Sequence, residues 1–292
     1  MAIFRDTGTV ADGIYLVDTF IWGIAKQHAV YIIQSSDQTA LIDTGVRKTM
    51  KIILKELENL KIDTLDYILM THSHIDHCGA VRQFAKMFSK AEICFPHLAT
   101  ELVETYQKKA EKFGFSNPVK LLREGDLIKL DADFILEVLE TPGHVSDHIS
   151  FLDQSHQILF VGDACGAHHL GANFSRPTAY APDFQHEEYI QTLMRFQKMN
   201  PTGLAIASYG FASDQDGIRC IEKAINDYHA WRSVVIEAVR ENPDTGYIAR
   251  VLLKKFGRSP GEIIESRPER WVIGILSGIA RGFINSLELV EK

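Results

Sequence analysis

Short apolar runs bounded by glycine or polar residues open the chain. Gly13 to Val17, His28 to Ile33 and Thr39 to Ile42 each have the length and flanks of a strand. Asp43-Thr44-Gly45 ends the third run and opens a helix predicted over about 47–60, with Met50, Ile53, Leu54 and Leu57 at helical spacing. Leu65 to Met70 reads as a buried strand. A helix over 80–89, a strand over 92–95 and a helix over 98–113 follow. A second series of strands is predicted over 119–122, 127–130, 134–140, 149–152 and 158–161, then a helix over 186–199 and a strand over 203–207. Strands followed by helices, then a near repeat of that order, predict two facing sheets with helices outside: an α/β chain built as a four-layer αββα sandwich.

Beyond Asp214 the strand pattern stops. Ile218, Ile221, Ile225, Tyr228, Trp231, Val235 and Val239 form a helical stripe that Asn242-Pro243 breaks. A helix over 247–256, a linker between Pro260 and Pro268, and a helix over 271–289 complete the chain. The aromatic residues of these stripes read as core. The pattern divides the chain into a sandwich, 1–212, and a C-terminal helical block, 213–292. A block of that size is too small to count on folding alone. It is expected to pack on the sandwich, shape a substrate entrance or supply a homodimer contact.

Composition narrows the setting. The chain has 292 residues, 46% of them apolar, and a net charge of −7. Without a basic run, nucleic acid is not the expected partner; a small-molecule substrate is. Cys78, Cys94, Cys165 and Cys220 show no Cys-x-x-Cys pairing, so neither a zinc ribbon nor a disulfide framework is indicated, and a reducing cytoplasm is expected. The start, Met-Ala-Ile-Phe-Arg-Asp, has no charged-then-apolar signal region, and no window reaches the ~20 apolar residues of a membrane span.

The chemistry concentrates in Thr71-His72-Ser73-His74-Ile75-Asp76-His77, at the end of the strand read over 65–70. His72 and His74, two apart in extended chain, share a face. Asp76 and His77 are offered from the following turn. A single histidine is usually a surface or hydrogen-bonded core residue. Three with an aspartate, packed together without a cation, would leave donors and lone pairs unsatisfied. Imidazole and carboxylate are the ligands of Zn²⁺, Fe and Mn²⁺, so the segment reads as a metal site.

Other polar residues also stand at strand ends. Thr141-Pro142-Gly143 makes a turn that delivers His144, and His148 opens the next strand, where a supporting hydrogen-bond role is expected. Val161-Gly162-Asp163 allows a sharp turn that projects a carboxylate inward, although Gly-Asp is also common in plain turns. Asp43 is expected to cap the following helix as structural support near the site. His28, His168, His169 and His186 have no spacing partner and are expected on exposed loops, with His168 and His169 close in sequence to Asp163.

In this order, Leu41-Ile42-Asp43-Thr44-Gly45, the His-x-His-x-Asp-His segment, Thr141-Pro142-Gly143-His144 and Val161-Gly162-Asp163 resemble the metallo-β-lactamase superfamily over about residues 10–210. The resemblance implies an αββα fold. It also implies that His72, His74 and His144 hold one metal, Asp76 and His77 hold a second, and Asp163 bridges the two. Such a pair would generate a hydroxide nucleophile and polarise a carbonyl or phosphoryl oxygen, with Asp76 as the catalytic group that orients the nucleophile and handles its proton.

The chain departs from the family where the last histidine belongs. Ala207-Ser208-Tyr209-Gly210 puts Ser208 or Tyr209 there, which would weaken the second site and tilt it from zinc toward Mn²⁺ or Fe. The resemblance implies a hydrolase of a small ester, thioester or lactone. Thr141 to Ile149 looks like thioester-cleaving members, and Tyr180 or Tyr209 could serve a lactonase. Phosphodiester cleavage and a non-catalytic metal-binding role are the alternatives. Di-iron reductase members carry a carboxylate where His74 stands.

Overall fold

The computed structural model describes residues 3–168, 174–257 and 268–289. The first sheet has seven strands in chain order: β1 (Gly8–Ala11), β2 (Ile14–Asp18), β3 (Ala29–Gln34), β4 (Thr39–Ile42), β5 (Tyr67–Leu69), β6 (Glu92–Pro96) and β7 (Val119–Leu122). It is antiparallel from β1 to β4 and parallel from β4 to β7. Its parallel half is wound with α1 (Met50–Asn59), α2 (Ile75–Cys78), α3 (Val81–Met87) and α4 (Thr100–Phe113).

The second sheet contains β8 (Leu127–Lys129), β9 (Ile135–Glu140), β10 (Ile149–Asp153), β11 (Ile158–Phe160), β12 (Gly203–Ile206) and β13 (Gly210–Ser213), in the order β13-β12-β11-β10-β9-β8. The α5 helix (His186–Met199) precedes β12. The helices α6 (Asp214–Glu241), α7 (Thr245–Phe256) and α8 (Glu269–Ser286) follow β13.

Alternation along each strand builds the layers. In β3, Tyr31 and Ile33 face the space between the sheets with Phe151, Phe160 and Phe211, while Val30 and Ile32 face Ile53, Phe84 and Tyr106 of the outer helices. In β12, Ala205 faces inward, while Leu204 and Ile206 join Phe196, Trp231, Ile248 and Phe283 on the other side. The four-layer αββα sandwich therefore agrees with the expected fold.

The last three helices share one apolar cluster with α5 and the outer face of the second sheet. Gly282 of α8 lies against the Ala179 carbonyl so closely that a Cβ would collide with it, and Gly278 sits beside the Tyr180 ring. His186, expected on an exposed loop, is half-buried and tied to Ser286: its backbone N–H donates to Oγ at 2.7 Å.

Two short strands escape the apolar pattern. β1 has little buried surface, and β13 is four residues joined to its neighbour through a tight connection. The helix expected over 47–60 starts only at Met50, with Thr49 before it, and 80–89 shortens to α3 behind the single turn of α2. Most of the linker expected between Pro260 and Pro268 lies outside the described residues. Among the described residues, no helix is long and apolar enough to cross a membrane.

Candidate metal centre

The candidate residues leave the strands at one end of the sandwich: Asp43 after β4, His72 after β5, His144 after β9, Asp163 after β11 and Ser208 after β12. Two backbone bonds join the sheets there, Ile149 N–H to the Thr71 carbonyl and Ala29 N–H to the Ala207 carbonyl, both 2.8 Å. Gly162 makes the inward turn at Asp163. Its φ of 49° is left-handed, and a Cβ would lie 2.6 Å from His148 Nε2, so a side chain has neither the conformation nor the room.

Two groups of ligand atoms converge, each with all members within 4.8 Å of one another: His72, His74 and His144 in one, and His72, His77 and Asp163 in the other. His144 Nε2 lies 2.9 Å from His74 Nδ1, and both His77 Nε2 and His144 Nε2 lie 3.6 Å from Asp163 Oδ2. His72, His77, His144 and Asp163 are buried, whereas His74 and Asp76 are partly exposed. Asp76 stands in the first turn of α2, outside both groups.

Hydrogen bonds fix the tautomers. His77 Nδ1 donates to Asp43 Oδ2 at 2.7 Å, and His144 Nδ1 donates to the Thr178 carbonyl at 2.6 Å. The Thr71 hydroxyl donates to the Asp43 carboxylate at 2.9 Å, so it accepts from His72 Nδ1 at 3.0 Å. Each of these rings therefore turns its Nε2 inward, and on His72 and His144 that nitrogen carries the lone pair. The Nε2 atoms of His72 and His77 are buried without a hydrogen-bond partner.

Outer carboxylate and carbonyl partners of this kind orient metal-binding imidazoles. Imidazole nitrogens converging beside a carboxylate, two of them, His72 Nε2 and His77 Nε2, buried without a partner, fit a divalent cation.

The electrostatics agree with that fit. Burial and then the neighbouring imidazoles hold His72 well below the ordinary histidine value, leaving its lone pair free. Burial and then His144 lower His74 to about 4, and burial also lowers His144. Burial would lower His77 as well, but the Asp43 and Asp163 carboxylates outweigh it and hold the ring well above its usual value, so without an ion a proton takes the place that a bound cation would fill. Burial would raise Asp163, but His77 and His144 keep it well below the usual carboxylate range.

The remaining expectations divide. His148 stacks on His72 at 5.0 Å between centroids; its Nε2 accepts from the Asp163 N–H at 3.2 Å and its Nδ1 meets Thr141 Oγ1 at 2.8 Å. Both ring nitrogens are engaged in holding the Asp163 turn.

Asp43 does not cap α1. Its φ of 62° turns the carboxylate back to take the Thr71 N–H and hydroxyl and the His77 ring. Ser208 faces the centre, its hydroxyl donating to Asp163 Oδ1 at 2.8 Å. Tyr209 does not: its ring lies in the core between the sheets, and its hydroxyl donates to the Arg5 carbonyl at 2.9 Å.

His28 and His168, expected on exposed loops, are buried. The pattern gave no warning, because neither sits in a motif. His169 lies outside the described residues. Tyr180 is partly exposed and feels the charges of Asp163 and Asp76.

Comparisons with known proteins point the same way. The hydroxyacylglutathione hydrolase GloC of Haemophilus influenzae is 31% identical over 145 residues, 47% of this chain and 66% of that protein, so the chain spans just under two thirds of its length. The metallo-beta-lactamase fold-containing protein ST1585 of Sulfurisphaera tokodaii is 25% identical over 245 residues, 77% of this chain and 86% of that protein. The metallo-beta-lactamase family protein TTHA1429 of Thermus thermophilus superposes with a TM-score of 0.67 over 96% of this chain and 94% of that one, at 18% identity, a likeness of fold. The family model described as the metallo-beta-lactamase superfamily matches residues 23–202, well over half of the sequence, and the chain belongs to that superfamily.

Proposed function

We propose that the protein is a metal-dependent hydrolase of a small ester-type substrate, with a thioester as the first choice. The observation that carries the reading is the convergence of the buried His72, His77 and His144 rings on the ionised Asp163, with the Nε2 atoms of His72 and His77 left without a partner. The similarity to a hydroxyacylglutathione hydrolase supports a thioester.

His72, His74 and His144 would hold one ion; His77, Asp76 and Asp163 would hold a second. Zinc suits a nitrogen-rich set, and iron or manganese suits the more carboxylate-rich side. When bound, such ions supply Lewis-acid polarisation of the substrate oxygen and lower the pKa of water.

The residues of the chain do the rest. Asp43 and the Thr178 carbonyl hold the His77 and His144 rings in orientation. Asp76, partly exposed at the start of α2, receives the proton of the attacking water on its carboxylate oxygen. The partly exposed His74 and Asp76 mark the side from which substrate approaches.

The test is turnover of zinc-, iron- and manganese-loaded protein on a glutathione thioester, an aryl ester, a lactone, a bis-aryl phosphodiester and a chromogenic cephalosporin. The thioester is expected to give the highest kcat/KM. Turnover of the phosphodiester alone would replace this reading, and no turnover by metal-loaded protein would favour a binding role.

A further inference from the structure

His28 is a buried imidazole beside the centre to which the superfamily motifs assign nothing. It precedes β3, and the neighbouring Ala29 N–H donates to the Ala207 carbonyl at 2.8 Å. That bond sets His28 next to Ser208, the place where a serine stands instead of an imidazole. The ring meets His77 edge-on, with centroids 4.6 Å apart.

Its tautomer follows from one hydroxyl. Thr19 Oγ1 donates its hydrogen to the His28 carbonyl at 2.9 Å, so it can only accept from His28 Nδ1, 3.3 Å away. The proton therefore sits on Nδ1 and the lone pair on Nε2. That Nε2 is fully buried without a partner, as is Nε2 of the adjoining His77. In the metal-free arrangement its Nε2 stands outside both converging groups, as Asp76 does, but the ring it touches, His77, belongs to the group of the proposed second ion.

We infer that His28 is a ligand of the second metal ion, supplying through Nε2 the imidazole that Ser208 cannot. His148, by contrast, engages both ring nitrogens, with Thr141 and the Asp163 N–H. His168 is not an alternative: its Nε2 already donates to the Cys165 carbonyl at 3.1 Å, and Ser175 Oγ lies 3.4 Å away. Ser208 keeps a different task, donating to Asp163 Oδ1 and leaving Oδ2 facing His77 and His144.

The inference rests on the proposed metal centre, and the experiment separates the two. Metal-free full-length protein is titrated with Zn²⁺ by calorimetry, ion content is counted by elemental analysis after dialysis, and Co²⁺ is read by its visible absorption. Wild type is expected to hold two ions. His28→Ala is expected to hold one, with the first affinity unchanged and the second weakened by at least ~100-fold, beyond the loss typical of an outer partner. His28→Gln, which keeps a polar chain without the imidazole, is expected to show the same loss. The Co²⁺ spectrum should lose the component of the second ion, and the melting temperature of each metal-free variant, lowered by the cavity at a buried ring, shows that it still folds.

Two ions of unchanged affinity in both variants would overturn the role of His28 and leave the centre standing. So would a lowered metal-free melting temperature with unchanged affinity. A wild type that binds only one ion would overturn it too, and one that binds none would sink the centre itself.

Discussion

The two sides of the candidate centre are built differently. The side of His72, His74 and His144 brings three imidazoles together from two strand ends, with His144 Nε2 already 2.9 Å from His74 Nδ1. The side of His77 and Asp163 has one imidazole of the motif, a carboxylate 3.6 Å away, and a serine hydroxyl occupied with that carboxylate. His72 belongs to both groups. One side thus follows from a single local segment and one turn, whereas the other depends on residues brought in from elsewhere, Asp43 and, as inferred, His28. A site assembled in this way should lose its second ion first when its supports are disturbed.

The largest effect should come from the shared residue. His72→Ala is expected to remove tight binding of both ions and to lower kcat/KM by at least ~10³-fold, since metal assistance supplies several kcal/mol. Elemental analysis alongside kinetics checks it; retention of one tight ion would show that the two sides do not depend on His72 equally.

Asp43→Asn should affect one side only. It keeps the shape but removes the charge that orients His77, so the second ion should weaken by ~10–100-fold while the first holds. Calorimetric titration distinguishes this from equal weakening of both ions, which would contradict the asymmetry.

The metal-free protein should also report the comparison through pH. His28, His74 and His168 are held at about 4 chiefly by burial, so between about 4 and 6.5 they are protonated only in the unfolded chain. Stability in that window should fall as pH drops, by up to about 1.4 kcal/mol per pH unit for each proton. Asp18 and Asp147, whose carboxyls burial raises, oppose part of this slope. His77 has the opposite sign, because its raised value contributes stability that is complete below the unfolded value and lost as pH rises through the folded one. The melting temperature of metal-free protein should therefore peak near pH 6.5, and bound metal should flatten the profile. A monotonic metal-free profile would mean that these imidazoles are not held as described.

Tyr209→Phe should have the smallest effect. It removes the hydroxyl bond to the Arg5 carbonyl and should cost about 1 kcal/mol of stability without changing metal content, as chemical denaturation and elemental analysis would show.

What the sequence disclosed follows the same asymmetry. The strand before His72, the turn before His144 and the glycine before Asp163 are local signals, and all lead to one end of the sandwich. The role of Asp43 was hidden because its left-handed backbone turns the carboxylate away from the helix it was expected to cap. Choosing between Ser208 and Tyr209 required knowing which side chain faces the inter-sheet core. His28 carried no local signal at all, since its neighbours at the centre belong to other strands and become neighbours only when the two sheets close.

The contact of Gly282 with the Ala179 carbonyl reaches further than packing. Thr178, one residue earlier, supplies the carbonyl that steers His144, so the last helix acts as a mechanical stop behind that ring. Chimeras that exchange tails between relatives would thus alter the alignment of a histidine far upstream. Even a methyl group added at position 282 would press on the Ala179 carbonyl, and through the Thr178 peptide on the His144 ring.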